Sequence, residues 1–248
     1  MRKFRALFVQ EFLYSIRHPY REILPLLFYG LLTFLGVSLG YNRMITQMEN
    51  YETITWMLPN LVVLYFIISM FQYGKNSISR KRASDYLTHL RILNASGGGL
   101  YTALVIEAFI RGILKSALLV LLYWLLFGTV ESYISWLYAL ALSVPIGFFW
   151  FGLGFIIGMN DIDQISGGKI LAEIVIPFLA VSGFLFPVAY YPSLIEQISY
   201  YLPTTLGFYL PRVFFGMNTM EVWMIPALAV WGLASLFTGF IMLKRATT

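Results

Sequence analysis

Apolar residues in this chain are grouped in long blocks, separated by short clusters of charge. Five uncharged, mostly apolar stretches stand out: Ile23–Tyr41, Ile54–Gly74, Ser132–Asn160, Ile174–Ile195 and Val222–Leu243. A helix that crosses the hydrocarbon core needs about 20 such residues, so each stretch predicts a span. A sixth stretch, Leu100–Phe127, carries Glu107, Arg111 and Lys115, but its last two-thirds is rich in Leu and Val and is read as a span as well. Ahead of the first span, Phe4, Leu7, Phe8, Phe12 and Ile16 fall on one face at helical spacing, among Arg2, Lys3, Arg5, Arg17 and Arg21. That pattern predicts an amphipathic helix over residues 1–21 lying on the membrane surface. The segment has no apolar core and no small-residue cleavage site, so it does not read as a signal peptide.

Composition narrows the class. Of 248 residues, 59% are hydrophobic and 12% charged, and mean hydropathy is +0.74. Soluble domains average about 45–50% apolar and about 25% charged residues. Disorder, a coiled coil, a collagen-like fibre and a soluble nucleic-acid-binding domain are excluded. There is no cysteine, and the two histidines, His18 and His89, are far apart in sequence. The chain therefore offers no disulfide, no thiolate nucleophile and no imidazole-based metal site. The net charge of +5 reads as topology rather than as affinity for nucleic acid. Positive residues crowd the N-terminal segment, the loop after the second span (Lys75, Arg80, Lys81, Arg82, Arg91), the loop after the fourth (Lys169) and the tail (Lys244, Arg245). Arg43 and Arg212 fall on the other side. By the positive-inside rule both termini are cytoplasmic. No soluble domain and no internal repeat is visible, so residues 1–248 read as one domain. The expected fold is an all-α integral membrane protein: the interface helix, then six transmembrane helices.

Catalytic motifs are missing. Gly167-Gly168-Lys169 resembles the end of a phosphate-binding loop, but Asp163 and Ile170 stand where that loop needs Gly and Ser or Thr. It reads as a turn, and any ATP hydrolysis falls to another chain. Asp161 and Asp163 suit the capping of the fifth helix better than a metal site. Glu107, Arg111 and Lys115 are spaced i, i+4, i+8 and share one helix face. Intramembrane charges usually face the bundle interior. Two readings stand: a structural ion-pair ladder joined by Glu173, or a polar inner vestibule that meets a charged headgroup. Many aromatics, among them Tyr41, Trp56, Trp136, Tyr190, Tyr191, Tyr200, Tyr201 and Trp223, fall near outer ends of spans. They fit an interfacial belt, or a pathway that stacks on cargo. Pro177, Pro187 and Pro192 interrupt the fifth apolar stretch. Irregular backbone at membrane depth survives only against protein or water. Residues 187–216 are therefore expected to dip back from the outer surface as a re-entrant segment between the fifth and sixth spans.

From Ser182-Gly183-Phe184-Leu185-Phe186-Pro187 the chain continues to Pro192, Leu202-Pro203, Arg212 and Gly216. This series resembles the C-terminal signature of ABC-2 type permeases, the membrane subunits of ABC exporters: an S-G-x-x-[FY]-P break, a Pro, an L-x-P-like step, then Arg and Gly before the last span. Arg82-Ala83-Ser84-Asp85-Tyr86-Leu87 is similar to the family's R-x-x-E-x-L stretch, with Asp in place of Glu. The resemblance covers nearly the whole chain. Ala95-Ser96-Gly97-Gly98-Gly99 departs from it, since the family often has a Pro-containing step there.

The resemblance implies an exporter whose permease pairs with a second copy of itself above two ATPase subunits. Those subunits would bind ATP and Mg, leaving this chain without a cofactor of its own. It implies a coupling helix over residues 79–91, with Arg82, Asp85, Tyr86, Leu87 and Leu90 meeting the ATPase, and an exit segment marked by Ser182, Gly183, Pro187, Pro192, Pro203 and Arg212. The N-terminal segment lacks the pattern of the polysaccharide-exporting branch. The expected cargo is therefore amphipathic, lipid-like or drug-like, with a lipid-linked glycan the lesser fit, moved across the inner membrane among its lipids. The alternatives are a membrane-embedded lipid-modifying enzyme and an ion-coupled carrier titrating at Glu107 and Glu173.

Overall fold

The computed structural model describes residues 47–48, 51–84, 86–88, 97–127, 133–160, 175–217 and 219–247, with single positions 32, 36 and 40. The interface helix expected over 1–21, Asp85, Leu90 and Glu173 lie outside the described residues. Within them, two-residue strands β1 (Gln47–Met48) and β2 (Tyr51–Glu52) pair antiparallel, Gln47 opposite Glu52 and Met48 opposite Tyr51. The rest of the regular structure is helical. The longer helices are α1 (Thr53–Ala83), α2 (Gly97–Phe127) and α3 (Tyr133–Met159). They are followed by the short α4 (Ile176–Ala180), α5 (Ser193–Tyr200) and α6 (Pro203–Val213), and then by a fourth long helix, α7 (Met224–Thr247). Segments of α1, α3 and α7 (Trp56–Ala83, Ser135–Met159 and Met224–Thr247) are long and apolar enough to cross a membrane, which marks this as a membrane protein.

Helix α1 is the most deeply buried of these three segments. The most apolar window of α1 is 78% buried, against 50% for α3 and 22% for α7. α1 and α3 run parallel, because Gly147 meets Phe66, Gly154 meets Phe71 and Lys75, and Gly158 meets Lys75 and Ile78. Without a Cβ at Gly154 the two backbones come close: a Cβ there would lie 2.3 Å from the Phe71 carbonyl oxygen. Small residues let membrane helices pack this tightly where no hydrophobic effect drives them together. α7 also runs parallel to α3, with Gly232 against Pro145 and Gly152 against Ser235, whose hydroxyl donates to the Phe149 carbonyl at 2.8 Å. Its other face leaves Val230, Leu233 and Phe237 more than 60% exposed, as a lipid-facing stripe requires. α2 returns antiparallel: Gly112 abuts Phe66, Gly98 meets Phe240, and the Tyr101 hydroxyl donates to the Leu236 carbonyl at 2.7 Å.

Two expectations are revised. α1 does not stop near Gly74 but continues to Ala83, so Arg80, Lys81 and Arg82 form its last turn instead of opening a separate loop helix. Cations at a helix C-terminus are favoured by the dipole, so the charge cluster extends the helix out of the apolar zone. The apolar stretch 174–195 is not one helix. Helix α4 ends at Ala180, turns carry the chain past Gly183 (φ 71), and a 3-10 turn follows at Val188–Tyr190. Pro187 and Pro192 cap the 3-10 turn and α5 with ψ of 137 and 143. Pro cannot donate to a continuing helix, and it pushes the residue before it out of helical backbone.

Candidate functional site

Among the described residues, the buried charged side chains of the sequence-predicted set lie at two places. The first centres on Arg212, 3% exposed, on the last turn of α6. Its Nε donates to the Asn60 Oδ1 at 2.8 Å, and its Nη2 to the Gly183 carbonyl. The guanidinium lies over the Trp56 ring, 3.8 Å from the centroid. Asn60, fully buried, donates in turn to the Phe184 carbonyl at 3.3 Å. The turn at Gly183 requires a positive φ that glycine adopts without cost. It aims carbonyls that no helix satisfies at the amide and the guanidinium. Arg212 thus ties the start of α1, the break after α4 and the end of α6 into one node. A desolvated cation–π contact adds about 2 kcal/mol. Ser182, 1% exposed, donates to the Leu179 carbonyl at 2.7 Å and closes the end of α4. The Tyr191 hydroxyl reaches back to the Ala180 carbonyl at 2.8 Å. Pro203 takes the first helical position of α6, where its missing N–H costs nothing.

The second place is on α2. Glu107, 2% exposed, accepts from Arg111 Nη2 at 2.6 Å and from Nε at 3.0 Å. Arg111 also lies over the Tyr73 ring of α1, 4.8 Å from the centroid. Lys115 is half-buried one turn further on. The Arg212 node and the Glu107 pair are held by different stretches of α1, at Trp56 and Asn60 and at Tyr73, so the two sets of residues do not form one site.

The expected coupling segment divides in its contacts. The Arg82 guanidinium donates to the Met159 carbonyl and closes the C-terminus of α3. Leu87, 9% exposed, packs in the same cluster as Phe66, Met70, Tyr73, Leu100 and Tyr101, with Tyr86 against it. Lys81 Nζ lies 5.0 Å from the Tyr86 ring centroid. Leu87 is thus buried in this chain's own core, whereas Arg80, Ala83 and Ser84 are exposed.

Between α2 and α3 an apolar cavity of about 750 Å³ is lined by Phe109, Ile113 and Val120 on one side and Trp136, Leu140 and Val144 on the other. Sequence reasoning missed Asn60, although an amide inside an apolar stretch is a signal in itself, and it missed this cavity. Among the described residues no group of His, Cys, Asp and Glu could hold a metal. No protein-family model and no curated protein matches this chain.

Proposed function

We propose that this chain is the permease subunit of an ATP-driven ABC-2 type exporter. In this reading six spans cross the inner membrane with both termini cytoplasmic. Two copies pair above two ATPase subunits, and the cargo is amphipathic, lipid-like or drug-like, or a lipid-linked glycan. The observation that carries it is the hydrogen bond from Arg212 to Gly183. Both residues belong to the series that resembles the family signature, and a break joined to a distant Arg is what an exit segment needs to hold its shape. The apolar cavity between α2 and α3 supports a cargo with an apolar part. The re-entrant course of residues 187–216 belongs to the same reading.

Purification of the full chain from its native host tests it. The expected result is an ATPase in equal amount, with hydrolysis that rises on adding the exported lipid or drug fraction. Exposed Arg80 is the residue to change for coupling: Arg80→Glu is expected to weaken ATPase retention while the chain stays folded and inserted. Leu87→Asp is not suited to this purpose, since Leu87 is in the chain's own core. A chain that carries out lipid chemistry or ion-driven uptake alone, with no ATPase bound, would overturn the reading.

A further inference from the structure

The start of α6 is buried, and its polar groups lack partners among the described residues. Leu202, the N-cap, offers no side-chain oxygen, and Pro203 follows it. The first hydrogen bond into the helix runs from the Leu206 N–H to the Leu202 carbonyl at 3.1 Å. The N–H groups of Thr204 and Thr205 therefore point out of the helix end. The hydroxyls of Thr204, Thr205 and Ser199 are buried without a hydrogen-bond partner, and these residues are 0%, 1% and 1% exposed. Ser199 comes from a different helix, α5. Its carbonyl accepts from the Leu202 N–H at 3.0 Å, which folds it back beside the first turn of α6. Buried polar groups are nearly always satisfied, so these hydroxyls call for a partner, either water or a ligand.

The direction of α6 says where that end lies. Phe215 packs on Trp136 and Phe214 on Tyr138, while Gly207 meets Ile146, so α6 runs antiparallel to α3. Four residues before Gly207, about 6 Å at helical rise, its N-terminus reaches the level of Trp150. The Trp150 Nε1–H is buried and likewise without a partner. The positive end of the helix dipole thus points into the middle of the bundle, where apolar surroundings do not screen it. Such half-helix ends are built to hold anionic groups in transporters.

We propose that the N-terminus of α6, with Ser199, Thr204 and Thr205, binds the phosphate or carboxylate headgroup of an amphipathic molecule. Main-chain N–H groups can only donate, and the hydroxyls donate as readily as they accept, so an acceptor-rich oxyanion matches the cluster. An apolar tail has a place beside it: Leu194, Ile195 and Ile198 of α5 are 69%, 40% and 57% exposed next to Ser199. Identifying the bound molecule as cargo rests on the export proposal; the site itself does not.

The test uses the full chain in neutral detergent, with decyl phosphate, inorganic phosphate and decanol as probes and thermal melting and equilibrium binding as readouts. Decyl phosphate is expected to bind saturably and raise the melting temperature, whereas decanol does not. Thr204→Val with Thr205→Val keeps the shape and removes the hydroxyls. It is expected to weaken decyl phosphate binding at least about tenfold, as for a lost hydrogen bond to a charged group, with no fall in the ligand-free melting temperature. If that pair fails to fold, Ser199→Ala carries the same expectation. Equal effects of decanol and decyl phosphate, or unchanged binding by the variants, would overturn the site and leave the hydroxyls to ordered water. Inorganic phosphate matching decyl phosphate would overturn the headgroup assignment. A chain that keeps its ATPase but does not bind decyl phosphate loses this site alone, and one that binds it with no ATPase loses the export proposal alone.

Discussion

Removing one partner of a buried ion pair strands the other, and the stranded charge is what destabilises. Glu107 and Arg111 test this directly. Glu107→Gln or Arg111→Met alone is expected to lower stability by about 3 kcal/mol, and the double change by less than the sum. Thermal melts of the four proteins in one detergent measure the coupling; additive losses would mean that the 2.6 Å contact contributes no net stability. Arg212 differs in kind, because its planar group serves an amide, a carbonyl and an indole ring together. Arg212→Lys keeps the charge but cannot reproduce that fork. It is expected to cost about 2 kcal/mol or more and to raise protease cleavage between Gly183 and Pro192; a wild-type digestion pattern would show that the node holds nothing. The Glu107–Arg111 pair was legible in the sequence because i, i+4 spacing fixes proximity on a helix. The Arg212 node was not, since Asn60 lies 152 residues away and Gly183 29, and no local rule relates them.

Helix length and span length are different quantities, and that difference explains what could be read at the scale of elements. Hydropathy located α1 and α3 because their apolar runs are long. It placed the end of α1 too early, since Lys75 to Arg82 leave the apolar zone without leaving the helix. It also merged α4 and α5 into one stretch, because apolar side chains continue through turns that Gly183 and the prolines impose. The prolines were the legible sign of a break; its folded form depends on Arg212. Close packing of α1 on α3 was not legible either, because glycine spacing acquires meaning only once the partner is known. Gly154→Leu would set a side chain against the Phe71 carbonyl, 2.3 Å from its Cβ, and neither backbone can yield cheaply. A loss of about 2 kcal/mol or more is expected, seen as a lower detergent melting temperature and reduced folded yield. Gly216→Leu serves as the control for backbone strain without crowding, since no atom lies within 4 Å of a Cβ there and its cost comes from the φ of 72. A melting temperature for Gly154→Leu at or above that of the control would mean that α1 and α3 do not pack as described.

The whole molecule lacks cysteine, so single introduced thiols report sidedness without background. Ser193 and Ser84 are both exposed and sit on opposite ends of the bundle in the proposed topology. Ser193→Cys is expected to react with an impermeant maleimide in intact cells, and Ser84→Cys only after permeabilisation; the reverse labelling would invert the orientation. The parallel run of α1, α3 and α7 has a further consequence, for the order in which the chain can be made. Parallel neighbours cannot follow each other directly in sequence, because the chain must first return across the bundle. α3 therefore meets α1 only after α2 has been synthesised, and the Pro145–Phe149 face of α3 stays open until Met224–Thr247 arrives. That face of α3 closes only once α7 is in place, not as each helix follows the last. A chain held before α7 leaves Gly152 and the Phe149 carbonyl of α3 facing lipid, an open seam that only Met224–Thr247 fills.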